Sequence, residues 1–183
     1  MEQTIGNQKI ILEVGDISEQ KTDAIVNPVN GMLSGGGTVD EAIRSKAGEG
    51  LDEELTDIFE NQLNNEQMPT GQATITSGHD LPVKYIIHAR GPVWNGEKEE
   101  RQRELAETYK SCLLLAKEHD VTSIAFPSIS TGIYHFPINL AAKVALKTAV
   151  DFLKQEDFGD IVFTLHSKRS YEVYANELKE LMK

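Results

Sequence analysis

Residues 23–40 read DAIVNPVNGMLSGGGTVD, and this stretch decides the fold. It opens on DAIVNPV (23–29), nearly all apolar until Asn27-Pro28 and short enough for a strand buried on both faces. It then passes through Gly35-Gly36-Gly37, where no regular element is plausible, and enters a helix predicted over Val39–Ala47. A buried strand, a glycine-rich loop and a helix start form one half of a strand–helix–strand unit. Three adjacent glycines carry a high backbone entropy and offer no side chains for packing. One reading is a flexible loop. The other is a close backbone approach to an anion, with free N–H groups at a helix start. Asp40, at the opening of that helix, has the same two readings: a first-turn acid that suits the helix dipole, or a functional carboxylate.

The same grammar repeats outward from this stretch. KIILEV (9–14) reads as a strand before it, closed by the turn signal Gly15-Asp16. After it come a helix from Gly50 through GLDEELTDIFENQLNN, strands in QATITSG (72–78) and KYIIHARG (84–91), and a helix over Glu99–Glu118. SIAFPSIS (123–130) is the next strand; Pro137 then starts the helix INLAAKVALKTAVDFLKQ. The strand DIVFTLHS and a helix carrying Tyr171, Tyr174, Leu178 and Leu181 complete the order. Alternating strands and helices predict a mostly parallel sheet covered on both faces. With no repeat or linker, residues 1–183 are expected to form a single domain.

Bulk composition narrows the function. The net charge is −11 and no basic cluster exceeds the pair Lys168-Arg169, which argues against nucleic acid and anionic membranes as partners. No apolar run approaches the roughly 20 residues of a membrane span, and MEQTIGNQKI lacks the pattern of a signal peptide. The lone Cys112 suits a reducing compartment, so a cytoplasmic location is expected. His79, His88, His119, His135 and His166 show no metal-ligand spacing, so neither metal nor cofactor is expected. His88, on an apolar strand, reads as a structural histidine, and Cys112 as a packed thiol.

Ligands of such folds sit beyond the carboxyl ends of the strands. Three loops there are chemically unusual. Asp16, in Gly15-Asp16-Ile17, is either a turn residue or an acceptor for an exocyclic amine. The glycine loop is the second. The third, Ser128-Ile129-Ser130-Thr131-Gly132-Ile133-Tyr134, is rich in small hydroxyl residues and could cradle a second phosphate. Neither GxxxxGK[ST] nor GxGxxG occurs, which disfavours P-loop and Rossmann enzymes. Two such loops suit a diphosphate gripped from both sides.

The ordered strings GDIS, DAIVNPVN, LSGGGTVDEAIRSKAG, PTGQATITSGHDLP, YIIHARGP and PSISTGIYHFP resemble the macrodomain family, most closely the MacroD-type bacterial ADP-ribose hydrolases. The resemblance runs from about Ile10 to the last helix and implies a three-layer α/β/α sandwich with a mixed central sheet. It implies that Asp16 holds the adenine amine with Ile17 beside it, and that His166 lies against the adenine ring. Gly35, Gly36, Gly37, Thr38 and Val39 would line the diphosphate and distal ribose, faced by Ser128 to Tyr134. Asn30 would orient the distal ribose and Asp40 would activate a water, making these two the catalytic pair. The implied activity is hydrolysis of the ester joining ADP-ribose to acidic protein side chains (mono-ADP-ribosylation) or to acetate in O-acetyl-ADP-ribose. The alternative is a non-catalytic ADP-ribose reader. The implied partner is ADP-ribose or an ADP-ribosylated protein, and a monomer is expected.

The chain departs from the family pattern at four places. It has Pro28-Val29 where NAAN has two alanines, Thr38 in place of a fourth glycine, and Glu41 and Arg44 in place of glycine and histidine. Thr38 narrows a loop built for close approach. Glu41 adds negative charge beside Asp40, while Arg44, one helical turn on, can pair with it.

Overall fold

Each central strand alternates its apolar side chains between two cores, and that alternation builds the layers. The computed structural model describes residues 1–183. Its strands are β1 (Glu2–Ile5), β2 (Gln8–Val14), β3 (Ala24–Pro28), β4 (Ala73–Ser77), β5 (Tyr85–Ala89), β6 (Ser123–Phe126) and β7 (Asp160–Leu165). The helices are α1 (Thr38–Ala47), α2 (Glu49–Asp57), α3 (Lys98–Glu118), α4 (Ile138–Gln155) and α5 (Lys168–Leu181). The sheet order is β1-β2-β7-β6-β3-β5-β4. The inner strands pair in parallel, while β1 on β2 and β4 on β5 are antiparallel, so the sheet is mixed.

One face carries Ala24, Val26, Ile87, Ile124, Phe126, Ile161 and Phe163, which pack with residues of α3, α4 and α5. The intervening residues Ile25, Ile86, Ala125 and Val162 pack on the other face with Ile43, Ala47, Leu51 and Leu55 of α1 and α2. The result is an α/β/α sandwich. Asn27 lies two residues beyond Ile25 and shares its face, so a fully buried amide sits under α1.

Three details differ from the sequence reading. Strand β1 was not expected; it is an edge strand with only Ile5 buried, so it lacks an apolar signature. The strand expected over 123–130 stops at Phe126, because Pro127 has no N–H for the ladder. The helix expected from Gly50 begins at Glu49 and closes in a π-helical turn, Ile58–Gln62. No helix is long and apolar enough to cross a membrane.

Candidate functional site

The carboxyl ends of β2, β3, β5, β6 and β7 open onto one cleft of about 620 Å³, within the usual range of small-molecule sites. Of the residues expected at a site, Asp16, Ile17, Gly36, Gly37, Thr38, Val39, Asp40, Ser128 to Tyr134 and His166 line it together. Gly35 and Asn30 do not. Gly35 borders a second recess of about 530 Å³, whose walls are Gly36, Gly37, Asp40, Glu41, Arg44, Ser45 and Asp52. Gly36, Gly37 and Asp40 border both, so the glycine loop is the wall between cleft and recess.

At one end of the cleft, both readings of Asp16 hold at once. Its Oδ1 accepts the Ser18 N–H at 2.9 Å and the Ser18 hydroxyl at 2.6 Å, capping a 3₁₀ turn over Ile17–Glu19. Its Oδ2 meets only the exposed Lys46 ammonium, 3.4 Å away. The Ser18 hydrogen bonds, with Lys46 nearby, hold the carboxyl below the usual range, so it is an anion with a spare acceptor at neutral pH. His166 is exposed at the end of β7.

The glycine loop is shaped by what its residues lack. Gly35 has φ +132°, a conformation that disfavours other residues. A Cβ on Gly36 would lie 3.0 Å from the Pro28 carbonyl oxygen. Gly37 precedes α1 without a side-chain cap, leaving the helix's first N–H groups unclaimed by one. Asn30 holds this loop from within: its Oδ1 accepts the Met32 N–H at 3.0 Å and the Ser34 N–H at 3.2 Å. That oxygen is thus committed to the loop's own turn.

The second loop is held from below. The Tyr109 hydroxyl of α3 accepts the Ile129 N–H at 3.0 Å, and the Tyr174 hydroxyl of α5 bonds the Ser128 hydroxyl at 2.7 Å. Burial pushes both phenols up, Tyr174 to about 12, so they stay neutral. Ser130 is buried in the left-handed region at φ 67°, and its hydroxyl has no partner. A Cβ on Gly91 would lie 2.3 Å from that hydroxyl and 2.6 Å from Ile129 Cγ2, so the loop packs directly on this glycine. Ile133, 67% exposed, reaches across the cleft; its Cδ1 would be 3.9 Å from a Cβ on Gly37.

Asp40 is only 2% exposed and is closely held. Arg44 Nε lies 2.9 Å from both carboxylate oxygens, and Asn27 Nδ2 donates to Oδ1 at 2.7 Å. The pairing open to Arg44 in the sequence is therefore made. Arg44 also donates to Asp52 Oδ1 at 2.8 Å and to the Leu33 carbonyl at 2.7 Å. Behind Asn27, His88 Nδ1 lies 3.1 Å from the same amide nitrogen, and His88 Nε2 lies 2.9 Å from the Thr76 hydroxyl. Full burial, with Arg44 and His79 adding repulsion, pushes His88 down to about 3, so the ring is neutral. Its Nδ1 accepts from Asn27 and its Nε2–H donates to Thr76, the arrangement those neighbours require. His88 is structural, as its strand position predicted, and Cys112 is a buried thiol pushed up by desolvation.

Sequence reasoning missed Asn27 and Asp52, which hold Asp40 and Arg44, and Gly91 and Thr164, which line the cleft. For Asn27 the signal was present: a polar residue ending an apolar strand. No group of three or more His, Cys, Asp or Glu side chains is placed to hold a metal ion.

The chain belongs to the macro domain family, whose model matches residues 26–145. It is 46% identical over 96% of its length to a macro domain-containing protein of Caldanaerobacter subterraneus subsp. tengcongensis, spanning 99% of that protein. It is 39% identical to the ADP-ribose glycohydrolase MACROD2 of Xenopus laevis, over 94% of this chain and 40% of that one. Among solved structures, the Oceanobacillus iheyensis macrodomain with ADP superposes with a TM-score of 0.97 at 43% identity, covering 100% of this chain and 96% of that one.

Proposed function

We propose that this chain binds ADP-ribose, free or carried on a protein, along the cleft. One observation carries the reading: a single groove has a carboxylate with a spare oxygen at one end and two backbone-presenting loops facing each other in its middle. Asp16 Oδ2 and the Ile17 N–H offer the acceptor and donor that an adenine edge needs, with His166 beside the ring. The diphosphate lies between Gly35–Val39 and Ser128–Tyr134, neutralised by N–H groups despite the net negative charge. The distal ribose then points toward Gly37, Tyr134 and Asp40, with Asn30 shaping the loop around it. The ADP complex of the Oceanobacillus protein and the name of the Xenopus relative support this assignment.

Whether the ligand is held or cleaved turns on Asp40. Holding is the reading the geometry favours, because the Asp40 carboxylate is 2% exposed and already held by Arg44 and Asn27. Hydrolysis of an ADP-ribosyl ester, with Asp40 and Asn30 as the catalytic pair, is the second reading. It is favoured by the place of Asp40 at the wall shared by cleft and recess.

Calorimetric titration tests the first claim. ADP-ribose should bind at one site and more tightly than AMP. Asp16→Ala should weaken it by about tenfold or more, as expected for losing a hydrogen bond to a charged group. Absence of binding, or indifference to Asp16, would overturn the assignment.

A further inference from the structure

We propose that Arg44 is a positioning residue that keeps Asp40 out of chemistry, so that the chain retains an ADP-ribosyl ester which the same cleft would otherwise release. The inference rests on the ADP-ribose reading above.

Hydrolysis of such an ester consumes one water. The bond between the acyl carbon and the ribose oxygen breaks, the water oxygen stays on the acyl carbon, and one water proton goes to the ribose hydroxyl. The other leaves with the new carboxylic acid. A carboxylate that assists must present a lone pair to that water within hydrogen-bond reach. Asp40 stands at the right wall, but its carboxylate is held at both oxygens and almost wholly buried. Its Oδ1 accepts from both Asn27 and Arg44, its Oδ2 accepts from Arg44, and the residue is 2% exposed.

Neither partner of Asp40 can turn away easily. Asn27 uses one nitrogen for Asp40 and for His88 Nδ1, and flipping its amide would set Oδ1 against a carboxylate. The buried Asn27 Oδ1 is left without a partner in keeping that orientation. Arg44 is anchored at two further atoms: its Nη1 holds Asp52 on α2 and its Nη2 holds the carbonyl of Leu33. Leu33 itself sits in the left-handed region at φ 57°, inside the glycine loop. One guanidinium therefore ties the helix that bears Asp40, the neighbouring helix and the loop into a fixed wall. The Arg44 side chain is 17% exposed, so this ion pair is largely shielded from water. A neutral side chain at position 44 would release Asp40 toward the recess, where a water and the acyl group have room.

The test compares the wild type with Arg44→Gln, Arg44→Lys and the double variant Arg44→Gln/Asp40→Asn. Two measurements are made on each: ADP-ribose affinity by calorimetry, and single-turnover release of ADP-ribose from a protein mono-ADP-ribosylated on glutamate. The wild type should bind ADP-ribose yet release it slowly. Arg44→Gln should release it about a hundredfold faster, the low end of what a positioned base contributes. Arg44→Lys, which keeps the charge but cannot make all of the guanidinium's contacts, should fall between the wild type and Arg44→Gln. The rate gained should rise with pH and disappear in the double variant, a signature that loosened packing would not give. Unchanged or slower release in Arg44→Gln overturns the proposal, as does a gain that survives Asp40→Asn. Should Arg44→Gln fail to fold, Asp52→Asn removes one anchor of Arg44 from an exposed site. It should speed release by up to about fivefold, the scale of a surface ion pair, and no change there also overturns the proposal. A wild type that does not bind ADP-ribose at all refutes the cleft assignment and this inference together; binding with release insensitive to position 44 refutes only the inference.

Discussion

The two loops that face each other across the cleft are built by opposite means. The glycine loop gains its shape by omission: Gly35 takes a positive φ, Gly36 lies against the Pro28 carbonyl, and charged groups on α1 fix the edges through Arg44. The Ser128–Tyr134 loop keeps its side chains. It is instead propped by neutral tyrosine hydroxyls from α3 and α5 and seated on Gly91. One loop depends on ions and on a neutral histidine behind them, the other on steric fit and uncharged hydrogen bonds. Similar surfaces for an anion can thus answer differently to pH and to mutation.

That contrast can be broken most forcibly at Gly91. Gly91→Ala puts a Cβ 2.3 Å from the Ser130 hydroxyl, so the second loop must move. Overpacking of this kind destabilises by about 1–3 kcal/mol. Thermal unfolding should show that loss, and ADP-ribose affinity should fall further than stability alone explains, because the loop is displaced from the ligand. Intermediate effects are expected at the tyrosines. Tyr109→Phe leaves the buried Ile129 N–H without its acceptor, a loss of about 1–3 kcal/mol. Tyr174→Phe should cost less in denaturant titrations, since Ser128 is also held by Thr131 at 3.0 Å.

The smallest effect at neutral pH, and the one that sharpens the contrast most, concerns His88. Folding holds it near 3 against 6.5 for a free histidine, so the unfolded chain binds the extra proton between those values. Its contribution is fully present above pH 6.5 and is lost as pH falls toward 3. The slope from this one proton is at most about 1.4 kcal/mol per pH unit. In denaturant titrations between those limits, His88→Gln should flatten the acid limb, whereas Tyr174→Phe should leave its shape unchanged.

Much of this was legible in the chain itself. The central strands were visible because each is nearly all apolar, as strands buried on both faces must be. The clustering of Asp16, Gly36, Gly37 and Ser128–Tyr134 followed from their places just after strands. Strand β1 was hidden because Glu2-Gln3-Thr4 carries no apolar pattern. Asn27 was visible as a polar residue ending an apolar strand, but its role, like that of Asp52, was not: each matters through its partner, Asp40 or Arg44, and only packing reveals which carboxylate an amide or a guanidinium will meet. The i,i+4 spacing of Asp40 and Arg44 made their pairing possible to foresee. The depth at which it is buried was not.

Ile133 has a consequence for time as well as for shape. Its exposed side chain approaches Gly37 from the opposite loop and narrows the groove between them. A ligand threading that gap must displace one isoleucine on the way in and again on the way out. Trimming it in Ile133→Ala should therefore speed entry and exit together, changing how long a partner stays more than how tightly it is held.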